Sequence, residues 1–173
     1  MKNSMMKKEN KHDTDQIRVG ISHGDFNGVG YEVILKTMAD KRITDLCTPV
    51  IYGSSKIASY HKKTMKVSDF SINVIKRPER MHGRKVNVYN IFRDEARIEL
   101  GKPTPQSGMY AFEALEKCVE DIKSRKIDVL VTAPINKKNI QHDKFSFPGH
   151  TEYLAKSFNV DKYLMLMVYN DIR

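Results

Sequence analysis

The stretch IRVGISHGDFNGVG, residues 17–30, decides the fold because it joins an apolar strand to a glycine-rich turn. Residues 17–22 alternate and then run apolar, as a first strand should. Glycines follow at positions 24, 28 and 30, and Tyr31 to Met38 then has the pattern of a helix. Such a unit brings backbone amides close to a ligand at the carboxyl edge of a parallel sheet. The glycine spacing is neither G-x-G-x-x-G nor that of a P-loop, so a dinucleotide site on this loop is unsupported.

The alternation of strand and helix continues along the chain. The pattern predicts strands at 48–53, 72–75, 86–89, 127–132 and 163–168, and helices at about 56–66, at about 107–124 and after His150. Residues 93–105 show no clean period and are predicted to form an irregular excursion. Repeated strand–helix units favour an α/β fold with a mostly parallel sheet and helices on both faces. Because Val129 to Val131 is the strongest β signal, we expect that strand near the middle of the sheet.

The length and composition of the chain limit the number of domains and the kinds of partner. The 173 residues allow one sizeable α/β domain, or one domain and the beginning of another. Residues 1–16 are polar, lack the apolar centre of a secretion signal, and are predicted to be a disordered tail. No apolar run reaches membrane-spanning length, so no membrane partner is expected. Cys47 and Cys118 lack metal-type spacing, which favours reduced thiols in a cytoplasmic protein.

The formal net charge of +9 raises the question of an anionic partner. Basic residues crowd one segment and one predicted helix: Lys76, Arg77, Arg80, Arg84 and Lys85, with Lys62, Lys63 and Lys66. There is no interleaved aromatic pattern and no recognisable binding module, so nucleic acid is not expected as a partner. A surface that attracts phosphorylated metabolites, or a merely solvated surface, fits the same residues.

The stretch DKFSFPGHTE, residues 143–152, carries the clearest functional signal. Its Pro-Gly pair interrupts regular structure, so His150 and Thr151 lie at the start of a predicted helix. At a helix start the backbone N–H groups are unpaired and the helix dipole is positive. A helix start of this kind can hold an anionic or hydroxylated small molecule. The alternative is that Thr151 only caps the helix and His150 is a surface residue.

Three segments in order resemble the 4-hydroxythreonine-4-phosphate dehydrogenase family of pyridoxal phosphate biosynthesis. The first is the glycine-rich opening at residues 24–30, the second is VTAPINK at residues 131–137, and the third is FPGHTE at residues 147–152. The third is similar to the family's G-H-T-E signature, and the resemblance covers roughly residues 17–173.

The resemblance implies an enzyme: NAD-dependent (or NADP-dependent), divalent-metal-dependent oxidation, with decarboxylation, of 4-phosphohydroxy-L-threonine. It also implies an isocitrate-dehydrogenase-like fold, two domains with the active site in the cleft, and a homodimer. It assigns substrate binding to His150 and Thr151. The metal, which is Zn, Mg or Co, would be held by three histidines expected beyond Arg173. The resemblance assigns no metal ligand within this chain, and we name no catalytic or cofactor-binding residue.

We expect a chain that is incomplete at its C-terminus, with a first α/β domain at residues 17–150 and the start of a second, truncated domain at residues 151–173. The family often has prolines around its glycine-rich opening, where this chain has Phe26 and Tyr31. Asp25 and Asn27 could line the cleft or only make turn hydrogen bonds. Lys137 could meet a phosphate or carboxylate, or lie on the surface.

Other functions stay open at this point. Within the same class, the substrate could be another four-carbon sugar-acid phosphate, because substrate choice rests on a few pocket residues. A phosphate acyltransferase of related fold would need neither nicotinamide nor the histidine ligands. The third possibility is an inactive or purely binding fragment.

Overall fold

A computed structural model describes residues 16–67, 70–92 and 96–169. Its centre is a five-stranded sheet in the order β3-β4-β2-β1-β5, and every recorded pairing between neighbouring strands is parallel. The strands are β1 (Ile17–Ser22), β2 (Cys47–Gly53), β3 (Ile72–Ile75), β4 (Val86–Asn90) and β5 (Val129–Thr132). The predicted α/β fold with a mostly parallel sheet is confirmed.

The helices follow the strands in chain order. They are α1 (Gly30–Met38), α2 (Lys41–Leu46), α3 (Ser55–Thr64), α4 (Pro105–Lys123) and α5 (His150–Ser157), with a short 3-10 turn at Pro78–Arg80. The side chains of Asp40, Ser54 and Thr104 accept hydrogen bonds from backbone N–H groups at the starts of α2, α3 and α4. Such caps satisfy N–H groups that a helix start leaves unpaired, which fixes where each helix begins.

The two faces of the sheet are covered by different helices. Ile21, Ile51 and Val88 share a core cluster with apolar residues of α1 and α3. Because side chains alternate along a strand, Val50 and Tyr52 point to the other face, where they pack with Ala114 and Cys118 of α4. Helices therefore cover both faces, as the sequence predicted.

The long helix α4 begins earlier than expected. The sequence pattern placed its start at Ser107, but the helix starts at Pro105 with Thr104 as its N-cap. Proline suits the first helical position because its missing N–H would have no intrahelical partner there. The predicted apolar stripe is confirmed at Ala111, Leu115 and Cys118, which are buried.

Two predictions about the β5 side of the sheet are wrong. The strand at 127–132, expected near the middle, is β5 at one edge of the described sheet. An apolar sequence shows that a strand can be covered on both faces, but the order of strands depends on the crossovers between them. Residues 163–168, expected to be a strand, form no regular element and are exposed.

Two other predictions lie partly outside what the structure describes. The tail at residues 1–16 falls outside it apart from Gln16, and the excursion at 93–105 is described only from Ala96 onward. Where that excursion is described, residues 96–104 form a non-helical connection that leads into α4. The division into domains at residue 150 stays a prediction. In the described ranges, no helix is both long enough and apolar enough to cross a membrane.

Candidate functional site at the carboxyl edge of the sheet

The loops that follow β1 and β5 meet at the carboxyl edge of the sheet. Ala133 N–H donates to the carbonyl of Ser22 at 3.0 Å, and Asp25 N–H donates to the carbonyl of Pro134 at 2.9 Å. Gly24 has φ +69°, and a Cβ at this position would overlap the Pro134 carbonyl oxygen. Only glycine tolerates both the left-handed backbone and this close approach. Gly24 therefore allows the loop after β1 to contact the turn after β5.

Asp25 joins this edge to α4 through a buried polar network. One carboxylate oxygen accepts from the backbone N–H of Asn27 at 2.9 Å, and the other accepts from the side-chain amide of Asn139 at 2.9 Å. The same amide donates to the hydroxyl of Ser107 at 2.9 Å. A Cβ at Gly108 would overlap the Asn139 carbonyl, so α4 presses directly against this segment. Sequence reasoning missed Asn139 and Ser107, because neither position carries a motif.

Asn27 holds the connection that precedes α4. Its side-chain oxygen accepts from Glu99 N–H at 2.8 Å, and its amide donates to the carbonyl of Lys102 at 3.1 Å and to the hydroxyl of Thr104 at 3.2 Å. Its own carbonyl accepts from Gly101 N–H at 2.8 Å. Asp25 and Asn27 are both buried, so structural hydrogen bonds account for most of their polar groups.

A cleft of about 300 Å³ nevertheless opens beside these two residues. Its walls come from the loop after β1, the turn before α4 and the loop after β5: Asp25, Asn27, Gly28, Val29, Gly101, Lys102, Pro103, Pro134, Ile135 and Asn136. Ligands of parallel α/β sheets bind outside the carboxyl ends of the strands. The cleft lies at the edge where such a ligand is expected.

A larger cleft of about 720 Å³ lies at the opposite edge of the sheet. Two ion pairs lie in its walls: Arg18 pairs with Asp128 at 2.5 Å, and Lys126 pairs with Glu79 at 3.2 Å. Arg18 also holds the pKa of the Asp128 carboxyl below its usual value through hydrogen bonding. We place the functional site at the carboxyl edge, where polar groups remain unmatched.

The start of α5 also contains unmatched polar groups. The N-cap is Gly149, which has no side chain to accept from the first helical N–H groups. His150 and Thr151 occupy the first two helical positions. The alternative that Thr151 caps this helix is therefore wrong. The sequence could not decide this, because glycine is also an accepted N-cap residue.

His150 is half-buried rather than a surface residue. Its Nε2 atom is shielded from solvent and has no hydrogen-bond partner among the described residues. Burial lowers the pKa of His150 below its ordinary value, so the ring is neutral at pH 7. A neutral imidazole with an unmatched nitrogen can donate or accept one hydrogen bond at that atom, depending on its tautomer.

Apolar packing holds α5 in place behind His150. Tyr153 is buried in a cluster with Phe112 of α4 and with Phe145 and Phe147 of the preceding loop. The ring centroids of Phe145 and Tyr153 lie 5.4 Å apart. Aromatic packing of this kind fixes the direction in which the first turn of α5 points.

Lys137 lies near this helix start. A Cβ placed on Gly149 would be 4.0 Å from Cε of Lys137. Lys137 is exposed and follows Asn136, which lines the cleft. The structure thus brings Lys137 close to the α5 start, while Asp25 and Asn27 belong to the neighbouring hydrogen-bond network.

Sequence reasoning also missed the environment of His23. This ring is fully buried, stacks on Tyr31 with centroids 5.2 Å apart, and meets Phe92 edge-on at 5.6 Å. Neither ring nitrogen has a hydrogen-bond partner in the described structure. Burial lowers the pKa of His23 to about 3. No sequence signal revealed this, because a histidine beside a glycine usually lies in an exposed loop.

Comparisons with known proteins found similarity over most of the chain. The family model described as pyridoxal phosphate biosynthetic protein PdxA matches residues 45–173. The chain is 48% identical over 161 residues to the 4-hydroxythreonine-4-phosphate dehydrogenase of Bacteroides thetaiotaomicron, covering 92% of this chain and 44% of that protein. It is 35% identical over 145 residues to a Fusobacterium nucleatum protein named provisionally as a D-threonate 4-phosphate dehydrogenase, covering 82% and 43% respectively.

Solved structures show the same architecture. A 4-hydroxythreonine-4-phosphate dehydrogenase from Burkholderia phymatum matches with a TM-score of 0.76 and 28% identity, over 84% of this chain and 45% of that one. The enzyme of that name from Klebsiella pneumoniae matches with a TM-score of 0.79 over 90% of this chain and 48% of that one; at 21% identity it supports the fold alone. The chain spans less than half the length of the curated relatives described above.

Proposed function

Because the chain belongs to the PdxA family of pyridoxal phosphate biosynthetic proteins, we propose that it contributes the substrate-anchoring part of a 4-hydroxythreonine-4-phosphate dehydrogenase. The proposed reaction is the oxidation, with decarboxylation, of 4-phosphohydroxy-L-threonine in pyridoxal 5'-phosphate biosynthesis. The single observation that carries the proposal is the start of α5, where an uncapped helix meets an unmatched His150 nitrogen.

The proposed role of this helix start is to bind and orient a small phosphorylated hydroxy acid. Its first N–H groups point out of the helix and carry the positive end of the dipole, which attracts a phosphate or carboxylate. The hydroxyl of Thr151 adds a donor or acceptor at the second helical position. Lys137 adds a positive charge near Gly149. These groups together suit an anion that also carries hydroxyl groups.

His150 would hydrogen-bond a substrate hydroxyl through Nε2 after a movement of the side chain that exposes this shielded atom. Since burial lowers its pKa, the ring is neutral at pH 7 and can accept or donate at that atom depending on its tautomer. Aromatic packing behind Tyr153 keeps the ring's helix in one orientation. A hydrogen-bonding group held in one orientation lowers the cost of ordering the substrate before reaction.

The resemblance also implies NAD and a divalent metal, and the described residues do not fit either group. They contain no group of three or more His, Cys, Asp or Glu side chains able to hold a metal ion. Space beside Gly24 and Gly30 is already filled by backbone of residues 134 and 23, so these two glycines make no cradle for a cofactor phosphate. We therefore derive no step through either group and restrict this chain's proposed role to the substrate.

The location and assembly belong to the same proposal. We place the protein in the cytoplasm and expect it to form a homodimer. We expect neither nucleic acid nor membranes as partners. Cys118 supports a reducing compartment, because it is a free, buried thiol packed against α4 and β2 neighbours. Burial raises the pKa of the Cys118 thiol well above its ordinary value, which makes it unreactive.

A second candidate substrate is D-threonate 4-phosphate, favoured by the relative that is 35% identical. The two molecules differ at carbon 2, which carries an amino group in one and a hydroxyl in the other. The 48% identity to the 4-hydroxythreonine-4-phosphate dehydrogenase favours the amino compound.

Binding to the 173-residue chain tests the proposal. We would titrate the purified chain with each of the two substrates and with inorganic phosphate, and follow the amide and His150 ring resonances by NMR. The expected shifts lie at residues 149–152 and at Lys137, with 4-phosphohydroxythreonine bound most tightly. His150→Ala should weaken that binding roughly tenfold, because losing one hydrogen bond costs about 1–3 kcal/mol.

His82→Ala is the matched control, because His82 is exposed and lies on the 3-10 turn side of the molecule. It should leave binding unchanged. Shifts confined to other parts of the chain, or equal losses in both variants, would remove the proposed role of α5. We also expect no NAD reduction by this chain with any added metal, and measurable turnover would contradict the restricted role.

A further inference from the structure

His142 occupies the first position of a tight turn in the loop that leads to α5. The backbone closes this turn at both ends: His142 N–H donates to the carbonyl of Phe145 at 3.2 Å, and Phe145 N–H donates to the carbonyl of His142 at 2.9 Å. The side chain of the same histidine folds over the turn. Its Nδ1 atom lies 3.1 Å from the backbone nitrogens of both Lys144 and Phe145.

The chemistry of these two contacts fixes the state of the His142 ring. Both partners are backbone N–H groups, which can only donate, so Nδ1 presents its lone pair and the ring proton lies on Nε2. Phe145 N–H is shared between Nδ1 and the carbonyl of His142. Among the described residues, Lys144 N–H has no acceptor other than Nδ1. The ring is therefore the acceptor on which the Lys144 amide depends.

His142 performs a task that asparagine or aspartate usually performs. These side chains accept from backbone N–H groups two residues further along the chain and so stabilise turns. The same loop has such a turn at Asn136, whose Oδ1 accepts from Lys138 N–H at 2.9 Å and from Asn139 N–H at 3.3 Å. Oδ1 of asparagine and Nδ1 of histidine are the same number of bonds from the backbone. An asparagine at position 142 is therefore expected to keep the acceptor.

The turn at residues 142–145 sets the position of Phe145, and Phe145 contacts α5. Phe145 is fully buried, and its ring centroid lies 5.4 Å from that of Tyr153 in α5. The ring of His142 also meets Phe112 of α4 edge-on, with centroids 4.7 Å apart. Phe112 in turn lies 5.9 Å from Tyr153. His142 is thus connected to α5 both through Phe145 and through Phe112.

We propose that His142 is a positioning residue: as the acceptor of the 142–145 turn, it holds Phe145 against Tyr153 and so fixes the start of α5. This role rests on the proposed function of that helix start as the substrate anchor. His142 acts through Phe145 rather than by touching the substrate. A loop that is already held in its bound shape loses less conformational entropy on binding, so the turn raises affinity without adding a contact to the ligand.

Two substitutions each keep one half of the His142 side chain. His142→Asn keeps an acceptor at the Nδ1 position and removes the ring, whereas His142→Phe keeps a ring against Phe112 and removes the acceptor. Asp143→Ala is the matched control in the same turn. Asp143 is exposed, and its side chain makes no hydrogen bond with the described part of the chain.

Hydrogen exchange followed by NMR measures the turn and α5 in the 173-residue chain. In His142→Phe, the Lys144 amide should exchange at least about tenfold faster than in the parent, because its acceptor is gone. The hydrogen-bonded amides of α5, residues 153–157, should exchange several-fold faster. His142→Asn and Asp143→Ala should both stay within about twofold of the parent. Amides of β1 and β2 report global unfolding and show whether each variant is folded.

Substrate affinity and the tautomer of the ring are measured on the same proteins. His142→Phe should bind 4-phosphohydroxythreonine at least roughly threefold more weakly than the parent, because the loop must then be ordered on binding. His142→Asn should bind it as the parent does. Long-range proton–nitrogen NMR of the parent should show the His142 ring proton on Nε2.

Several outcomes would overturn the role of His142. They are a ring proton on Nδ1, equally fast α5 exchange in His142→Asn and His142→Phe, or α5 exchange in His142→Phe that matches the parent. Faster α5 exchange with unchanged substrate affinity would also overturn it. If the parent binds no substrate, the proposed function fails, and the exchange rates alone decide whether His142 positions α5. Should His142→Phe not fold, His142→Ala takes its place with the same expected rates.

Discussion

The loop after β1 and the start of α5 lie at the same edge of the sheet and both contain glycine, yet their polar groups are satisfied very differently. In the part of the loop at residues 24–29, Asp25 and Asn27 are buried and bonded to two other segments, residues 99–104 and the segment of Asn139. At the start of α5, Gly149 supplies no cap and His150 Nε2 has no partner in the described structure. Satisfied buried groups hold a fold together, whereas unmatched groups are available to a ligand. The difference identifies the α5 start as the better candidate for binding.

The largest expected loss of stability is at Gly108, where α4 packs against Asn139. Asn139 belongs to the hydrogen-bond network that holds the loop after β1. In Gly108→Ala the new Cβ would overlap the Asn139 carbonyl, and backbone cannot move away as a side chain can. We expect a loss of about 3 kcal/mol or more in the free energy of unfolding. Urea denaturation followed by circular dichroism measures it.

Gly101→Ala is the matched control for that change. Gly101 has φ +76°, but a Cβ added there would have no atom within 4 Å, so only backbone strain applies. The expected cost of that strain is about 1–2 kcal/mol. Equal losses in the two variants would show that α4 does not press on the loop.

A smaller effect is expected from acid, through His23. Its folded pKa is about 3 and its unfolded pKa is near 6.5, so the unfolded chain binds more protons between these values. The stabilisation is complete above pH 6.5 and is lost as pH falls. The expected loss is about 2 kcal/mol between pH 6.5 and pH 5. His61, whose pKa is also lowered by burial, adds in the same direction.

His23→Phe separates the contribution of His23 from that of the other histidines. It keeps an aromatic ring among Tyr31, Phe26 and Phe92 but cannot take up a proton. Denaturation curves at pH 6.5 and pH 5 should then differ by less than in the parent chain. An unchanged difference would mean that His23 is not the buried group that senses acid.

Asn27→Ala is expected to have a comparable or smaller effect on stability. It removes the three side-chain hydrogen bonds that hold residues 99–104 and leaves Glu99 N–H without its partner. The expected cost is about 1–3 kcal/mol. Asn90→Ala, at an exposed asparagine, should cost less than about 1 kcal/mol. Equal melting temperatures for the two variants would show that the Asn27 hydrogen bonds add no stability beyond those of an exposed asparagine.

The smallest effect on stability is expected at His150. Because Nε2 has no partner to lose among the described residues, His150→Ala should change the free energy of unfolding by under about 1 kcal/mol. The same substitution should weaken substrate binding roughly tenfold. Thermal melting and substrate titration on one sample measure both. A large loss of stability with normal binding would make His150 a structural residue like those of the loop.

Much of the fold could be predicted from sequence, and the candidate site only in part. The strand at Ile17–Ser22 and the helix that follows were confirmed, because local apolar periodicity and glycine breaks are enough to define them. The placement of His150 and Thr151 at a helix start was also confirmed. Their proposed contacts with substrate are still predictions. The network around Asn139 could not be found, because its partners lie 32 and 114 residues away along the chain.

The sequence by itself determined the order along the chain of the five strands and of helices α1, α3, α4 and α5, the position of the Pro-Gly break before His150, and the resemblance of three motifs to one family. These features depend on neighbouring residues, whose periodicity and turn preferences act locally. Only the tertiary structure decided that β5 lies at an edge, that Gly149 rather than Thr151 is the N-cap, and that Asp25 is bonded to Asn139. Each of these depends on which distant segments meet, and that is set by the hand of the crossovers and by packing across the sheet.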